Sequence, residues 1–334
     1  MRYFDLHSDT ITMLHYPKEN LADNKRMVSI PKMQEGGAWI QCFSAFVPTG
    51  YFPRLCRDAF TWKRFCDIAD KKDRLLELHE DALTMITSGV DIERLLQNPE
   101  SGKIGVIFTG EDLGVIGNDI RKLDTVYQRG VRIATLTWNH ENTLGFPNSV
   151  KPHVMQKGLK PFGIEAVERM NELGMVIDVS HLSDGGFRDV AHISKKPFIA
   201  SHSNSREITD HPRNLTDAMI KAIAESGGVI GLNFAPHFLS ERGGSSRIRD
   251  MLQHIRHIRS VGGSDVLALG TDFDGIRGRL EIDSPAKIPR LSQVLTKCGM
   301  KEAEQEKMFY GNAVRVLREV WKPYERNGRK EENK

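Results

Sequence analysis

Five stretches of the chain end in side chains that can bind a cation or move a proton. The first is Asp5-Leu6-His7-Ser8-Asp9, close to the amino terminus. Tyr3 to His7 reads as a short strand, and side chains two apart on a strand share a face, so His7 and Asp9 project together from its end. An imidazole beside a carboxylate suits a borderline divalent cation such as zinc. The others are Glu111 after Thr109-Gly110, His181 after Val179-Ser180, His202 within Ser201-His202-Ser203, and Asp272 with Asp274 in Gly270-Thr271-Asp272-Phe273-Asp274-Gly275. Singly, each has an ordinary explanation. Glu111 could cap a helix, His181 or His202 could bond a backbone carbonyl, and Asp272 could belong to a turn.

The elements that carry these residues repeat along the chain. Apolar runs of strand length occur at Tyr3 to His7, Trp39 to Val47, Ile104 to Thr109, Val131 to Trp138, Met175 to Ser180, Pro197 to Ser201, Gly228 to Phe234 and Val266 to Thr271. Their continuous apolar character is that of parallel strands buried on both faces. Helical stretches lie between them. Ala166, Val167, Met170 and Leu173 share a helix face that Gly174 closes in a left-handed conformation. Asn214 or Thr216 caps a later helix whose Met219, Ile220 and Ile223 face inward before Gly227 stops it. The region from Arg57 to Leu96 is longer than one crossover helix needs and predicts an elaborated connection. Eight alternating units predict an α/β fold, a (β/α)₈ barrel, rather than an open doubly wound sheet. No Gly-x-Gly-x-x-Gly follows any strand, which removes the main support for a dinucleotide-binding fold. In a barrel all eight strands deliver their carboxyl ends to one rim, where active sites lie. Five of those ends carry an imidazole or a carboxylate. Such groups are costly together in a low-dielectric place unless they bind a cation or one another.

Composition narrows the class. The 334 residues fit two average domains or one large barrel, and 39% hydrophobic with 27% charged residues is ordinary for a soluble globular protein. The net charge of +3, with no basic block, argues against a nucleic-acid surface. Cys42, Cys56, Cys66 and Cys298 show no Cys-x-x-Cys spacing and read as reduced thiols. No apolar run is long enough to span a bilayer, and a strand from residue 3 leaves no room for a signal peptide. The expectation is a cytoplasmic protein without membrane or nucleic-acid partners. Residues 1–321 are expected to form a single barrel domain, and the charged, aromatic-poor stretch 322–334 a frayed tail.

As a set, these motifs resemble the renal (membrane) dipeptidase family of the amidohydrolase superfamily. The similarity lies in Asp5-Leu6-His7-Ser8-Asp9, Val179-Ser180-His181, Ser201-His202-Ser203 and the Gly270 to Gly275 stretch. It extends to Arg213-Asn214 and Gly311-Asn312-Ala313-Val314-Arg315-Val316, so it runs from Asp5 to about Leu317. The resemblance implies a distorted (β/α)₈ barrel, two zinc ions and the cleavage of dipeptides, with a homodimer suggested. Carried over by position, His7 and Asp9 hold one ion, His181 and His202 the other, and Glu111 bridges both. Asp272 matches the family's catalytic aspartate, and Arg213 an arginine that grips the substrate's carboxylate.

Those roles are chemically consistent. Two cations bridged by one carboxylate can share a hydroxide, because metal binding brings the pKa of bound water near neutrality. That hydroxide would attack the scissile carbonyl while the ions stabilise the oxyanion. Asp272, directly at the end of its apolar run, would move the proton to the leaving amine. Asp274 lies in the following turn and suits an outer, supporting role. Mammalian members carry a histidine directly after Leu-Thr at the end of strand four. Here Leu136-Thr137 is followed by Trp138-Asn139-His140. Three outcomes stay open: His140 swings into the missing role, Asn139 replaces it, or neither does. Trp138 on the rim would shape the pocket.

Two other classes compete. One is a different binuclear amidohydrolase acting on a non-peptide amide, lactone or phosphoester; such enzymes commonly bridge their metals with a carboxylated lysine on strand four, and residues 131–138 contain no lysine. The other is an inactive barrel kept as a binding module, which predicts broken ligand positions, whereas each position here is filled. Tolerance of a carboxyl-terminal D-residue is left open.

Overall fold

The structure, a computed structural model, describes residues 1–53 and 56–321, so the tail expected at 322–334 lies outside the described residues. Its strands are β1 (Tyr3–Asp5), β2 (Ala38–Phe46), β3 (Leu83–Met85), β4 (Ile104–Glu111), β5 (Val131–Thr135), β6 (Val176–Asp178), β7 (Ile230–Leu232), β8 (Ser245–Ser246), β9 (Leu267–Leu269) and β10 (Arg279–Leu280). The main sheet runs β6-β5-β4-β2-β1-β9-β7, with every pairing parallel. Single parallel bridges, Asp178 to Ile199 and Ala200 to Ile230, insert the Pro197 to Ser201 segment between β6 and β7. The sheet thereby closes on itself. Eight staves make a parallel barrel, the architecture the apolar runs predict.

Several staves are shorter than their apolar runs, and Pro197 to Ser201 forms bridges rather than a ladder. The reason is local. The Asp178 carboxylate accepts hydrogen bonds from Ser180 N and Ser201 N, and Ser180 Oγ accepts one from His202 N. Side chains thus take over backbone groups that a longer ladder would use. The elaborated connection is a long helix, Arg57–Leu78, then β3 on the amino-terminal half of β4, then the helix Gly89–Gln97. Thr216, not Asn214, caps the helix Asp217–Glu225 by accepting from Met219 N, and Gly174 ends the helix Pro161–Leu173 at φ 71°.

Strand residues alternate between two apolar clusters. One joins Phe43, Phe108, Ala134, Ile177 and Leu232 to the surrounding helices through Ala166, Val167, Met170, Ile220, Ile223 and Ile255. The smaller joins Phe4, Leu6, Ile40, Ile107, Ile133, Val176, Ile199 and Ala268 to Val314, Leu317 and Val320 of the helix Asn312–Val320. Buried on both faces, the staves form a rigid frame whose carboxyl ends share one rim. All four cysteines are free thiols. Among the described residues no helix is long and apolar enough to cross a membrane.

Candidate active site

Glu111, the last residue of β4 and 3% exposed, lies at the centre of the rim cluster. Its two oxygens face different neighbours. Oε2 is 3.5 Å from His7 Nε2, whereas Oε1 is 3.1 Å from His181 Nε2 and 3.6 Å from His202 Nε2. The His181 and His202 Nε2 atoms are 3.0 Å apart. Burial, reinforced by the positive charges of Arg213 and His7, holds both of these imidazoles well below the usual histidine range, so both are neutral near pH 7. His181 Nδ1 is 2.9 Å from Asn139 Oδ1. An amide oxygen only accepts, so His181 carries its proton on Nδ1 and turns the Nε2 lone pair toward Glu111.

Those three atoms fit a zinc ion. With Zn–N bonds of about 2.0–2.1 Å, tetrahedral geometry places ligand atoms about 3.3 Å apart. The observed separations, 3.0, 3.1 and 3.6 Å, bracket that value. The other half of the cluster has the same chemistry. His7 Nε2 lies 3.9 Å from Asp9 Oδ1 and 3.9 Å from Asp272 Oδ1, and both His7 Nε2 and Asp9 Oδ1 are buried without a hydrogen-bond partner. His7 also stacks on His202 with ring centroids 3.9 Å apart.

The electrostatics follow from crowding. Burial alone would push the His7 imidazole down, but the Glu111 and Asp9 carboxylates outweigh it and hold it well above its ordinary value. Glu111 is pushed up to about 8 by burial and then by the Asp9 charge, with His7 opposing. Asp272 is pushed up to about 6, chiefly by burial, with His7 opposing and Asp9 adding. Three carboxylates sharing so small and dry a space are costly, and cations among them relieve that cost.

The backbone is shaped to deliver these groups. Among the described residues, the non-glycine positions with positive φ are Asp112, His181, Asp272 and Asp274, at 68°, 67°, 62° and 67°. All lie at the carboxyl ends of staves. Left-handed conformations are uncommon for such residues and cluster where the structure enforces a functional geometry. Gly275 serves the same end. A Cβ there would sit 2.3 Å from Asp9 Oδ2 and 2.4 Å from Asp272 Oδ1, so only glycine lets these carboxylates converge. Asp274 turns away from the cluster. It accepts hydrogen bonds from Thr10 Oγ1 at 2.6 Å and Met27 N at 2.7 Å, tying the loop after β1 to the rim.

Arg213 is 5% exposed and donates from Nη1 to Ser203 Oγ at 3.1 Å and from Nη2 to the His202 carbonyl at 3.0 Å. Its Nε is buried without a partner. Among the described residues no carboxylate lies within 4.0 Å of its guanidinium. Asp217 pairs with His257 and Asp184 with Arg206 instead. With Nε unpartnered and one hydrogen bond from each Nη, this buried guanidinium keeps N–H donors that match a planar carboxylate.

The three residues after Thr137 separate. Trp138 packs edge-on against Phe46 and Tyr51 at ring centroids of 4.9 and 5.6 Å, and lies 6.2 Å from the His181 ring. Asn139 reaches His181. His140 turns to the Gly50-Tyr51 segment, 4.8 Å from the Tyr51 ring, and among the described residues its buried Nε2 has no hydrogen-bond partner. Sequence reasoning overlooked Asp178, Ser201 and Asn233. A carboxylate interrupting the apolar run Val176-Ile177-Asp178-Val179 was the available signal for the first. Asn233 donates to Asp272 Oδ2 at 3.0 Å, a contact across 39 residues with no local signature.

Residues 1–331 match the membrane dipeptidase family, Peptidase family M19. An uncharacterised protein of Klebsiella pneumoniae, encoded 5′ of pqqA, is 35% identical over 248 residues, which are 72% of this chain and 89% of that one. The crystal structure of a metallo peptidase described as a dipeptidase superposes with a TM-score of 0.86 at 26% identity, covering 96% of this chain and 99% of the other. A Rhodobacter sphaeroides metallo peptidase, solved with a phosphinate mimic of the dipeptide L-Ala-D-Ala, gives a TM-score of 0.85 at 25% identity, over 96% and 99% of the two chains.

Proposed function

Since the chain belongs to the membrane dipeptidase family, peptidase family M19, and is a peptide-bond hydrolase, we propose that it cleaves dipeptides at a centre of two zinc ions. In this reading His7 and Asp9 hold one ion, His181 and His202 the other, and Glu111 joins them. The observation that carries it is the division of Glu111: Oε2 faces His7, and Oε1 faces the His181–His202 pair. When bound, such ions bring the pKa of a coordinated water near neutrality and offset charge on a polarised carbonyl oxygen.

The chain's own residues supply the rest. Asp272 Oδ1 faces His7 while Oδ2 is held by Asn233, so one oxygen is fixed and the other is free to take a proton from the attacking water. It would then return that proton to the leaving amine. Arg213 would clamp the dipeptide's terminal carboxylate and set which bond meets the centre. Asn139 keeps His181 in the tautomer that a cation requires. Trp138, with the exposed Tyr51 packed edge-on against it, would wall one side of the rim. His140, packed on Tyr51, is given no chemical part. The Rhodobacter relative's L-Ala-D-Ala mimic makes dipeptides with a carboxyl-terminal D-residue the leading candidates alongside L,L-dipeptides. Four free thiols support a reducing, cytoplasmic setting, and a homodimer carries over from the family resemblance.

The test is metal analysis of purified protein coupled to hydrolysis of a small library of L-Xaa-L-Xaa and L-Xaa-D-Xaa dipeptides. Close to two zinc ions per chain and turnover of free dipeptides support the reading. Turnover confined to lactones or phosphoesters would favour a different amidohydrolase chemistry.

A further inference from the structure

His181 and His202 present the same atom to Glu111 but are held from behind in different ways. Behind His181 stands Asn139, an exposed neutral amide. Behind His202 stands Ser201, whose Oγ is 2.7 Å from His202 Nδ1 and 2.5 Å from Asp178 Oδ2. Asp178 is 1% exposed, and Thr135 Oγ1 donates to the same Oδ2 at 2.7 Å. Its Oδ1 accepts from Ser180 N at 3.0 Å and Ser201 N at 2.9 Å. Among the described residues no lysine, arginine or histidine forms an ion pair with it. It is a fully buried carboxylate with its acceptor positions filled and no countercharge in contact.

Hydrogen-bond logic orders the protons. A carboxylate only accepts, so the short contact between Asp178 Oδ2 and Ser201 Oγ is filled by the serine's single proton. With that proton spent, Ser201 Oγ can only accept from the imidazole. His202 therefore carries its proton on Nδ1 and aims the Nε2 lone pair at Glu111 and His181. We propose that Asp178 and Ser201 are positioning residues for the metal centre: a carboxylate–hydroxyl relay that fixes the tautomer and ring orientation of His202 and raises its strength as a ligand. A carboxylate behind a metal-binding histidine has this effect directly. Here one hydroxyl is interposed, and hydrogen bonds in such a chain polarise one another. The two histidines are then unequal, the one backed by a buried charge and the other by an amide at the surface.

The inference rests on the zinc centre proposed above, and the experiment separates the two. Zinc affinity of the full-length protein is measured by competition with a chromophoric chelator for the unaltered chain and for Ser201→Ala, Ser201→Thr and Asp178→Asn. Loss of the relay is expected to weaken the more labile zinc by about 10–100-fold in Ser201→Ala and Asp178→Asn, the range seen when outer partners of metal ligands are removed. Ser201→Thr, which keeps the hydroxyl, is expected to restore affinity. Long-range ¹⁵N–¹H correlation of the zinc-loaded, histidine-labelled unaltered protein provides a reading that needs no variant to fold. It should show His202, assigned through its contact with the stacked His7 ring, protonated at Nδ1. Unaltered protein that binds no zinc refutes the centre itself. Normal zinc affinity in Ser201→Ala, even with a lower Tm of the metal-free form, makes the relay purely structural and overturns the inference, as does an unprotonated Nδ1.

Discussion

Asn233 Nδ2 stands 3.0 Å from Asp272 Oδ2, which leaves Oδ1 as the oxygen facing the His7 imidazole at 3.9 Å. The carboxylate is thus oriented by a contact outside the cluster. Asp272→Asn keeps the shape and a hydrogen bond to Asn233 but cannot take up a proton. Its kcat is expected to fall by about 10²-fold or more, the scale of lost general acid–base catalysis, with zinc content nearly unchanged. Steady-state kinetics and elemental analysis on one preparation check both halves. Near-normal turnover would move proton transfer to another group.

The division of Glu111 between two sets of donors predicts that metal and stability are linked. His181→Ala removes one of three atoms lying 3.0–3.6 Å apart and is expected to lower zinc occupancy. Chelator treatment should abolish activity and lower Tm, because a ligand bound only by the folded state stabilises it by mass action. Re-addition of zinc should restore both. A chelator-treated protein with unchanged Tm and full activity would remove the metal from the mechanism.

Arg213 offers a test that separates a dipeptidase from a general amidase. If its guanidinium clamps the terminal carboxylate, amidating that carboxylate should cost about 2–5 kcal/mol in kcat/KM, the usual penalty for stranding one member of a buried charge pair. Arg213→Ala should lose most activity on the free acid yet discriminate far less against the amide. Four kcat/KM values, two enzymes by two substrates, decide the matter. Equal losses on acid and amide would assign Arg213 to structure.

His254, on the helix Ile248–Gly262, predicts an acid limit to stability. It is fully buried, accepts from Ser205 N at its Nδ1 (3.1 Å) and faces the Leu239 carbonyl through Nε2 (3.1 Å), so it must stay neutral with its proton on Nε2. Burial pushes its pKa down to about 4 from an ordinary 6.5. The unfolded chain therefore binds this proton more readily. Its contribution is complete above about pH 6.5 and is lost as pH falls toward 4, amounting to roughly 3 kcal/mol over that window. His254→Gln should be less stable at pH 7 but show a shallower fall in Tm between pH 7 and 5. Parallel curves would mean that another group sets the acid slope.

The barrel was legible in the sequence because parallel staves buried on both faces must be apolar along their length, and eight such runs recur with helices between them. The site's address was legible for a related reason. Parallel strands put every carboxyl end on one rim, so His7, Glu111, His181, His202 and Asp272, each just past an apolar run, had to be neighbours. Of the two residues that could cap the helix Asp217–Glu225, Thr216 is the one whose side chain reaches Met219 N.

Other relationships were settled only by folding. Residue type could not say which Glu111 oxygen faces which histidines, nor that Asn139 would reach His181 while His140 packed on Tyr51. Those outcomes depend on rotamers and loop paths, which neighbouring side chains select. Asp178 meets Thr135 across 43 residues and Ser201 across 23, and Asn233 meets Asp272 across 39. No periodicity carries such pairings, because they arise where adjacent staves end side by side. Arg213 is the sharpest case. Only the packed structure turns its guanidinium inward, onto Ser203 Oγ and the His202 carbonyl.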